Sequence, residues 1–267
     1  MTSRASRQSF LGRDAERVLR ELCVGILGAG GGGSHIAQQL AHVGVRQFVI
    51  FDPDVIEESN MNRLVGAVFD DVVARRSKID IAARLICGVQ PNANIVARRC
   101  RWQDDAELLR GCDIVFGCLD TLKDRAELEV TCRRFLIPYI DIGLGVKSVI
   151  NEAPRMAGQV VMSVPGAACF RCLGFITERE IAEEVAQYGD AGPRPQVIWA
   201  NAILAATAVG LAVDLVTDWT ESLRGPAYLA YDGNVGSVLP HPRLKFAPRE
   251  CVHFGLSDVG EPTFTAL

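Results

Sequence analysis

The chain has 267 residues, of which 49% are hydrophobic and 22% charged, so it is long enough to bury one large core or one core with a smaller lobe. Its 28 basic and 32 acidic residues give a net charge of −4 without a basic stripe, which argues against a nucleic acid partner. The longest apolar stretch, Ala202 to Val213, is shorter than the roughly 20 residues of a membrane span, and no hydrophobic signal region follows the basic start.

The nine cysteines are scattered along the chain, and several of them fall inside predicted core elements. This usage suits a reducing compartment better than a framework of disulfides. We therefore expect a cytoplasmic protein.

Short apolar runs alternate with amphipathic segments through residues 23–142. This alternation predicts parallel βαβ units, with helices on both faces of the sheet. The predicted strands lie near 23–27, 46–51, 94–98, 113–117 and 138–142, and the predicted helices near 33–43, 76–88, 104–110 and 122–135.

The pattern changes after the fifth strand. Residues 145–164 and 227–240 are typical of hairpin strands, the second with a turn at Asp232-Gly233-Asn234. Between them we expect a buried core helix from about Val197, preceded by a mobile crossover loop at 189–195. The predicted fold class is therefore α/β, with a mostly parallel sheet extended by antiparallel strands in its C-terminal part.

The stretch Gly28-Ala29-Gly30-Gly31-Gly32-Gly33 follows the first strand and opens a helix. Its Gly-x-Gly-x-x-Gly spacing fits a dinucleotide fingerprint, in which a tight turn brings phosphate close to a helix N-terminus. Asp52 ends the second strand, where a carboxylate can accept both ribose hydroxyls. At this point an NAD enzyme fits equally well, and a plain tight turn in another α/β protein remains the alternative.

Polar residues just after the ribose position favour a triphosphate. Ser59, Asn60, Arg63 and Lys78 lie where a dinucleotide fold usually continues directly into its next helix. Two long cations can neutralise the β- and γ-phosphates and the pyrophosphate leaving group. Each cation alone would be typical of a solvated surface, so the prediction depends on their combination.

Asp120 follows the fourth strand, at the carboxyl edge of the predicted sheet. A carboxylate there can hold Mg²⁺, which keeps several waters and bridges phosphate oxygens. The alternative is that Asp120 or Thr121 caps the helix at 122–135.

Six motifs in this order resemble the ThiF/MoeB/HesA family of adenylating enzymes, which are relatives of the ubiquitin-activating enzymes: "SRQSFLG", "GAGGGGS", "FDPDVIEESNMNR", "RSK", "CLDT" and "CFRCL". The resemblance implies a Rossmann-like homodimer that adenylates the C-terminal carboxylate of a ubiquitin-like protein or peptide with ATP and Mg²⁺. It implies one ThiF-type domain at 21–267 after an N-terminal arm at 1–20, with a nucleotide-binding half at 21–143 and a carrier-binding half at 144–267. By motif, the residues implied at the nucleotide are Gly28, Gly30, Gly31, Gly33, Asp52, Asp54, Asn60, Arg63, Lys78 and Asp120.

Arg7 resembles the arginine of this family that reaches across the dimer interface into the partner's site. The catalytic set is then Arg7, Arg63, Lys78 and Asp120. No general base is needed, because the substrate carboxylate is already ionised at pH 7.

The sequence departs from the family pattern at two places. Many relatives bind a structural zinc with two Cys-x-x-Cys pairs, whereas here Cys169 and Cys172 are followed by Cys251 and His253. The four could bind zinc, or they could be an unmetallated remnant. There is also no cysteine between Cys172 and Cys251 for a thioester, so the acyl-adenylate would pass to a separate sulfur donor, amine or conjugating enzyme.

Other functions remain open alternatives. The same site could adenylate a modified peptide or a tRNA base, although the acidic pI of about 5.6 disfavours tRNA. An NAD-dependent oxidoreductase would leave Arg63, Lys78 and the first cysteine pair unexplained. An inactive scaffold subunit is disfavoured by the full set of nucleotide residues.

Overall fold

The computed structural model describes residues 4–147, 152–186, 195–217, 219–220 and 225–255. Its strands are β1 (Cys23–Leu27), β2 (Gln47–Phe51), β3 (Asn94–Arg98), β4 (Ile114–Gly117), β5 (Tyr139–Lys147), β6 (Arg155–Ser163), β7 (Ala227–Asp232) and β8 (Ser237–Pro240). Its α-helices are α1 (Ala15–Glu21), α2 (Gly31–Val43), α3 (Phe69–Val73), α4 (Lys78–Val89), α5 (Leu122–Arg134), α6 (Glu178–Ala186) and α7 (Ile198–Val216). Short 3₁₀ helices span Arg4–Leu11, Glu58–Asn60, Trp102–Gly111 and Pro242–Phe246.

The strands form one eight-stranded sheet in the order β3-β2-β1-β4-β5-β6-β7-β8. The pairs from β3 to β5 are parallel, and the pairs from β5 to β8 are antiparallel. The predicted fold class is thus confirmed. From β1 the strand order runs outward through β2 to β3 and then continues with β4 on the other side of β1. Open α/β folds bind their ligands where the strand order reverses in this way.

Helices cover both faces of the sheet, as buried parallel strands require. One face carries the larger core cluster, to which α1, α2, α4 and α7 contribute. The other face packs against α5, the segment Trp102–Gly111 and residues 168–176. Both clusters meet strands whose central side chains are inaccessible to solvent, so the strand ends at the carboxyl edge are held on a rigid frame.

Helix α7 matches the predicted core helix. It is long and apolar enough to cross a membrane by length and composition alone, with a mean hydropathy of 1.7 over its most apolar window. However, one face, from Ala200 through Leu204 to Leu211, is buried. It packs on α2, β5 and β6. Helix α7 is therefore a core helix of this fold.

Several local features differ from the prediction or extend it. The predicted helix at 104–110 is a 3₁₀ helix with a kink at Asp105. The predicted arm is helical, and its Leu11, Ala15 and Leu19 belong to the main core. Strand β5 crosses the predicted boundary at 143/144 without a break. The predicted mobile loop at 189–195 lies outside the described residues, except for Pro195.

Candidate active site

A cleft of about 410 Å³ opens at the carboxyl ends of β1, β2 and β4 and beside the middle of β5. Its floor is the turn between β1 and α2, where Gly28, Gly30, Gly31 and Gly32 line the opening. The N-cap residue of α2 is Gly30, which has no side chain to accept the first amides of the helix, so within the described residues these amides are available to an anion.

The turn has little room for side chains. Gly28 has a φ of +92°, and a Cβ there would lie 2.6 Å from the carbonyl oxygen of Cys118. A Cβ at Gly33 would overlap the carbonyl oxygen of Gly28. Gly33 is therefore beneath the turn, where it allows close packing, and it does not line the cleft as the other predicted glycines do.

Asp52 is buried at the end of β2 and accepts a hydrogen bond from the turn between β1 and α2. Its carboxylate accepts hydrogen bonds from the Ala29 amide at 2.7 Å and the Asp54 amide at 2.9 Å. Burial raises the pKa of Asp52, and the nearby Lys78 ammonium and the two amides oppose that rise. The carboxylate faces the cleft, where it can accept further hydrogen bonds.

The two predicted cations lie on the cleft wall rather than pointing into bulk solvent. The Nζ of Lys78, the first residue of α4, is 2.7 Å from Oδ2 of Asp54. The Arg63 guanidinium donates to the Ser59 carbonyl at 2.7 Å, and the methylene carbons of Arg63 lie against Gly31. Both cations thus line the same cleft as the glycine turn, and Arg63 lies directly against that turn.

Asn60 fixes the loop that carries Arg63. It is buried, and its side-chain oxygen accepts the Glu57 amide at 3.1 Å in a reciprocal capping arrangement. Asn60 also lines the cleft. Asn60 and Asp54 thus line the same cleft as Arg63 and Lys78.

Asp120 lies on the opposite side of the cleft, just after β4, and its residue is exposed. The cap of α5 is Thr121, whose Oγ1 accepts the Asp124 amide at 3.0 Å. The alternative role of Asp120 as that cap is thereby removed.

Sequence reasoning missed several residues of the cleft. Arg125 and Asp124 from α5, Asn201 from α7, and Arg101 and Gln196 from loops also line it. None of these residues belongs to the six family motifs, and each reaches the cleft because its helix or loop packs there.

Arg7 lies apart from this cleft. It is exposed on the 3₁₀ helix Arg4–Leu11 and is not among the residues that line the cleft of its own chain. Any contact of Arg7 with a nucleotide would therefore involve another copy of the chain or a movement of this segment.

The predicted zinc ligands come together although 79 positions separate Cys172 from Cys251. The ligand atoms of Cys169, Cys172, Cys251 and His253 all lie within 4.8 Å of one another. Nδ1 of His253 is 3.4 Å from the Cys169 sulfur and 3.2 Å from the Cys172 sulfur, and the Cys172 and Cys251 sulfurs are 3.8 Å apart. Tetrahedral zinc with bonds of about 2.3 Å to sulfur spaces its sulfur ligands by about 3.8 Å.

A buried network from α5 supports the first cysteine pair. The Glu129 carboxylate accepts the Phe170 amide at 2.9 Å. The Arg133 guanidinium donates to the carbonyls of Ala167 and Ala168 at 2.9 and 3.1 Å. The loop that presents Cys169 and Cys172 is thus fixed by protein contacts alone.

Comparison with known proteins gives consistent results. The model of the ThiF family matches residues 2–252. The SAMP-activating enzyme E1 of Haloferax volcanii is 33% identical over 150 residues, which are 55% of this chain and 52% of that protein. Ubiquitin-like modifier-activating enzyme 5 of Bombyx mori is 29% identical over 168 residues, 58% and 40% of the two chains. The molybdopterin-synthase adenylyltransferase of Salmonella typhimurium is 28% identical over 164 residues, 60% and 61% of the two chains.

Solved structures share the fold at lower identity. The structure of E. coli MccB with ATP is 19% identical and superposes with a TM-score of 0.71 over 94% of this chain and 73% of that chain. The structure of MccB with SeMet MccA gives a TM-score of 0.74 over 93% and 72% of the two chains, also at 19% identity. The aligned region is about half the length of the curated relatives named above.

Proposed function

Because this chain belongs to the ThiF family, we propose that it uses ATP to adenylate the C-terminal carboxylate of a ubiquitin-like carrier protein. The observation that carries the proposal is one cleft in which Asp52, Arg63, Lys78 and Asp120 surround an uncapped helix N-terminus. The names of the relatives, which include an adenylyltransferase and two activating enzymes of protein modifiers, support it.

The reaction joins a carboxylate oxygen of the carrier to the α-phosphorus of ATP. The bond from the α-phosphorus to its bridging oxygen breaks, and pyrophosphate leaves with that electron pair. No proton has to be removed, so catalysis consists of positioning and charge neutralisation. In this proposal Asp52 holds the ribose, the α2 N-terminus and Asn60 hold phosphate oxygens, and Arg63 and Lys78 balance the charge of the leaving pyrophosphate.

Asp120 fits a magnesium ligand. Asp120 is an exposed residue that lines the cleft, the cap of α5 is Thr121, and oxygen donors of the carboxylate kind suit Mg²⁺. Bound magnesium would neutralise and orient the phosphates.

The Cys169, Cys172, Cys251 and His253 cluster fits a structural zinc. Its donors are of the soft sulfur and imidazole type, and their spacing suits tetrahedral coordination. In this proposal zinc ties the loop at 165–173, which carries Cys169 and Cys172, to the segment at 251–253 and takes no part in the chemistry.

A homodimer completes the proposal, with Arg7 of one protomer acting in the cleft of the other. The exposure of Arg7 and its absence from its own cleft are consistent with action in trans. Exposed apolar side chains on α7, among them Ile198 and Trp199, offer a surface that a second copy could cover.

The test is exchange of labelled pyrophosphate into ATP in the presence of candidate ubiquitin-like carriers. We expect carrier-dependent exchange, and we expect Asp120→Asn to reduce it roughly 100-fold or more, because an amide would hold the magnesium that neutralises and orients the phosphates less tightly than a carboxylate does. Asp113→Asn is the matched control, since Asp113 lies at the other end of β4, outside the cleft.

If exchange depends on a short peptide and on none of the carriers, the peptide replaces the carrier as the proposed substrate. Tight binding of NAD with no binding of ATP would reject the proposal altogether. Equal activity of Asp120→Asn and wild type would reject the role of Asp120.

A further inference from the structure

Arg125 lies in the first turn of α5, beside the cleft, with a side chain that is only 10% exposed. Its Nε and Nη2 donate to the carbonyl oxygen of Leu119 at 3.1 and 2.6 Å. Its Nη1 donates to Oδ1 of Asp141 at 2.7 Å. One guanidinium therefore joins the end of β4 to β5.

The bond to Leu119 matters because that carbonyl belongs to the peptide unit that continues into Asp120. A carbonyl held by two donors of a planar guanidinium cannot rotate freely, so the direction in which the chain enters Asp120 is fixed. The backbone before the proposed magnesium ligand is thus positioned by a side chain and not only by the strand.

The other end of the guanidinium is anchored to a buried carboxylate. Asp141 is inaccessible to solvent, and its Oδ2 accepts the Tyr139 hydroxyl at 2.8 Å. Gly143 has no Cβ to displace the guanidinium, whereas a Cβ there would lie 2.8 Å from Nη1 of Arg125. Arg125 is held from two sides.

Stability alone does not account for this arrangement. Taking an arginine and an aspartate out of water is costly, and a buried ion pair is often no more stabilising than apolar residues of similar size. A fixed orientation of the neighbouring Leu119–Asp120 turn is a function that apolar residues cannot supply.

We propose that Arg125 is the positioning residue for Asp120, holding the Leu119–Asp120 turn so that the carboxylate meets magnesium on the nucleotide. The inference rests on the proposed function, because it takes Asp120 as the magnesium ligand. Arg125 acts through this backbone and has no assigned contact with the reacting atoms.

Arg133 provides a matched control on the same helix. Its guanidinium is also buried and also donates to backbone carbonyls, those of Ala167 and Ala168. It does not line the cleft. Arg125→Lys and Arg133→Lys therefore make the same chemical change in similar surroundings, but only the first lies beside Asp120.

The experiment measures binding of a fluorescent, non-hydrolysable ATP analogue while magnesium is titrated, together with thermal unfolding. We expect Arg125→Lys to raise the magnesium concentration at half-saturation roughly tenfold, as is common when a residue that orients a metal ligand is changed. Binding of the analogue in excess EDTA should stay within twofold of wild type. Arg133→Lys should lower the unfolding temperature without changing the magnesium dependence.

Two further variants keep the test decisive. In the Asp120→Asn background, Arg125→Lys should add no further change in magnesium dependence, because the ligand it positions is gone. If Arg125→Lys does not fold, Tyr139→Phe removes only the hydroxyl that holds Asp141, and it should shift the magnesium dependence in the same direction by a smaller factor.

A magnesium dependence of Arg125→Lys equal to that of wild type would overturn the inference and leave the proposed function intact. Failure of the wild-type protein to bind the analogue at any magnesium concentration would instead reject the proposed function. The two failures are therefore distinguishable.

Discussion

Three glycines of the turn between β1 and α2, Gly28, Gly30 and Gly33, differ in the steric demand that they meet. Gly28 needs its positive φ and Gly33 needs the absence of a Cβ above the Gly28 carbonyl, whereas a Cβ at Gly30 would meet no atom of the described residues within 4 Å. Gly30 nevertheless lines the cleft. Gly28 and Gly33 thus serve the fold, whereas Gly30 borders the cleft without such a steric demand from the described residues.

Substitution by alanine should separate these demands. Gly33→Ala forces the Gly28 carbonyl to move, and we expect it to destabilise the protein by about 3 kcal/mol in chemical unfolding. Gly30→Ala should unfold like wild type but bind ATP more weakly, because its methyl group occupies the space over the helix N-terminus. Unchanged ATP affinity of Gly30→Ala in calorimetry would contradict nucleotide binding at this turn.

Residues adjacent to strand ends could be predicted from sequence, whereas residues brought in by helix packing could not. Asp52 and Asp120 directly follow apolar runs, and the register of parallel strands carries both to one edge. Arg125 and Asn201 reach the cleft because α5 and α7 pack at particular angles, which no local pattern specifies. The raised pKa of Asp141, to about 6, likewise follows from burial opposed by Arg125, and both depend on the fold.

At the scale of elements, the parallel strands were predictable because each is a short apolar run buried on both faces. Helix α6 and the short α3 were not, because their sequences are polar or brief and their helical state depends on neighbours. Glu184 of α6, for example, accepts the Leu122 amide at 2.7 Å and so joins α6 to the start of α5.

The cysteine and histidine cluster connects two distant segments, because it closes a loop from Cys172 to Cys251. If zinc binds there, its removal should loosen the segment at 242–253 while the parallel half of the sheet stays folded. The contacts of Glu129 and Arg133 with residues 167–170 keep only one side of the site in place.

We therefore expect about one zinc per chain by elemental analysis, and less in Cys172→Ser. That variant should also unfold at least about 4 °C lower, which corresponds to a loss of ~1–2 kcal/mol in a chain of this size. Cys87→Ser is the matched control, since Cys87 is exposed on α4 and outside the cluster. Equal zinc content in Cys172→Ser and wild type would rule out this ligand set.

At the scale of the whole molecule, the N-terminal segment carries exposed side chains that the proposed homodimer would cover. Its Phe10 is 65% exposed and packs edge to face on Trp219, which is itself 45% exposed. Arg7 lies on the same 3₁₀ helix. A second copy that covered these rings would also fix the direction in which Arg7 points.

Mixed dimers test whether Arg7 acts in trans. Arg7→Ala and Asp120→Ala should each be inactive in pyrophosphate exchange when expressed alone. In a co-expressed heterodimer, one cleft would combine Asp120 of the first variant with Arg7 of the second and be intact, while the other cleft would lack both. Random pairing should therefore restore about a quarter of wild-type activity per chain, because half of the dimers contain one good site out of two.

Action of Arg7 within its own chain makes the opposite prediction, since every cleft in every mixed dimer would then lack one of the two residues. Differently tagged chains, purified over both tags, would show that heterodimers had formed. No recovered exchange in such a sample would exclude the trans role, and sedimentation of the wild type as a monomer would exclude the dimer. Recovery requires both a shared interface and an arginine that crosses it, so a single measurement tests the two together.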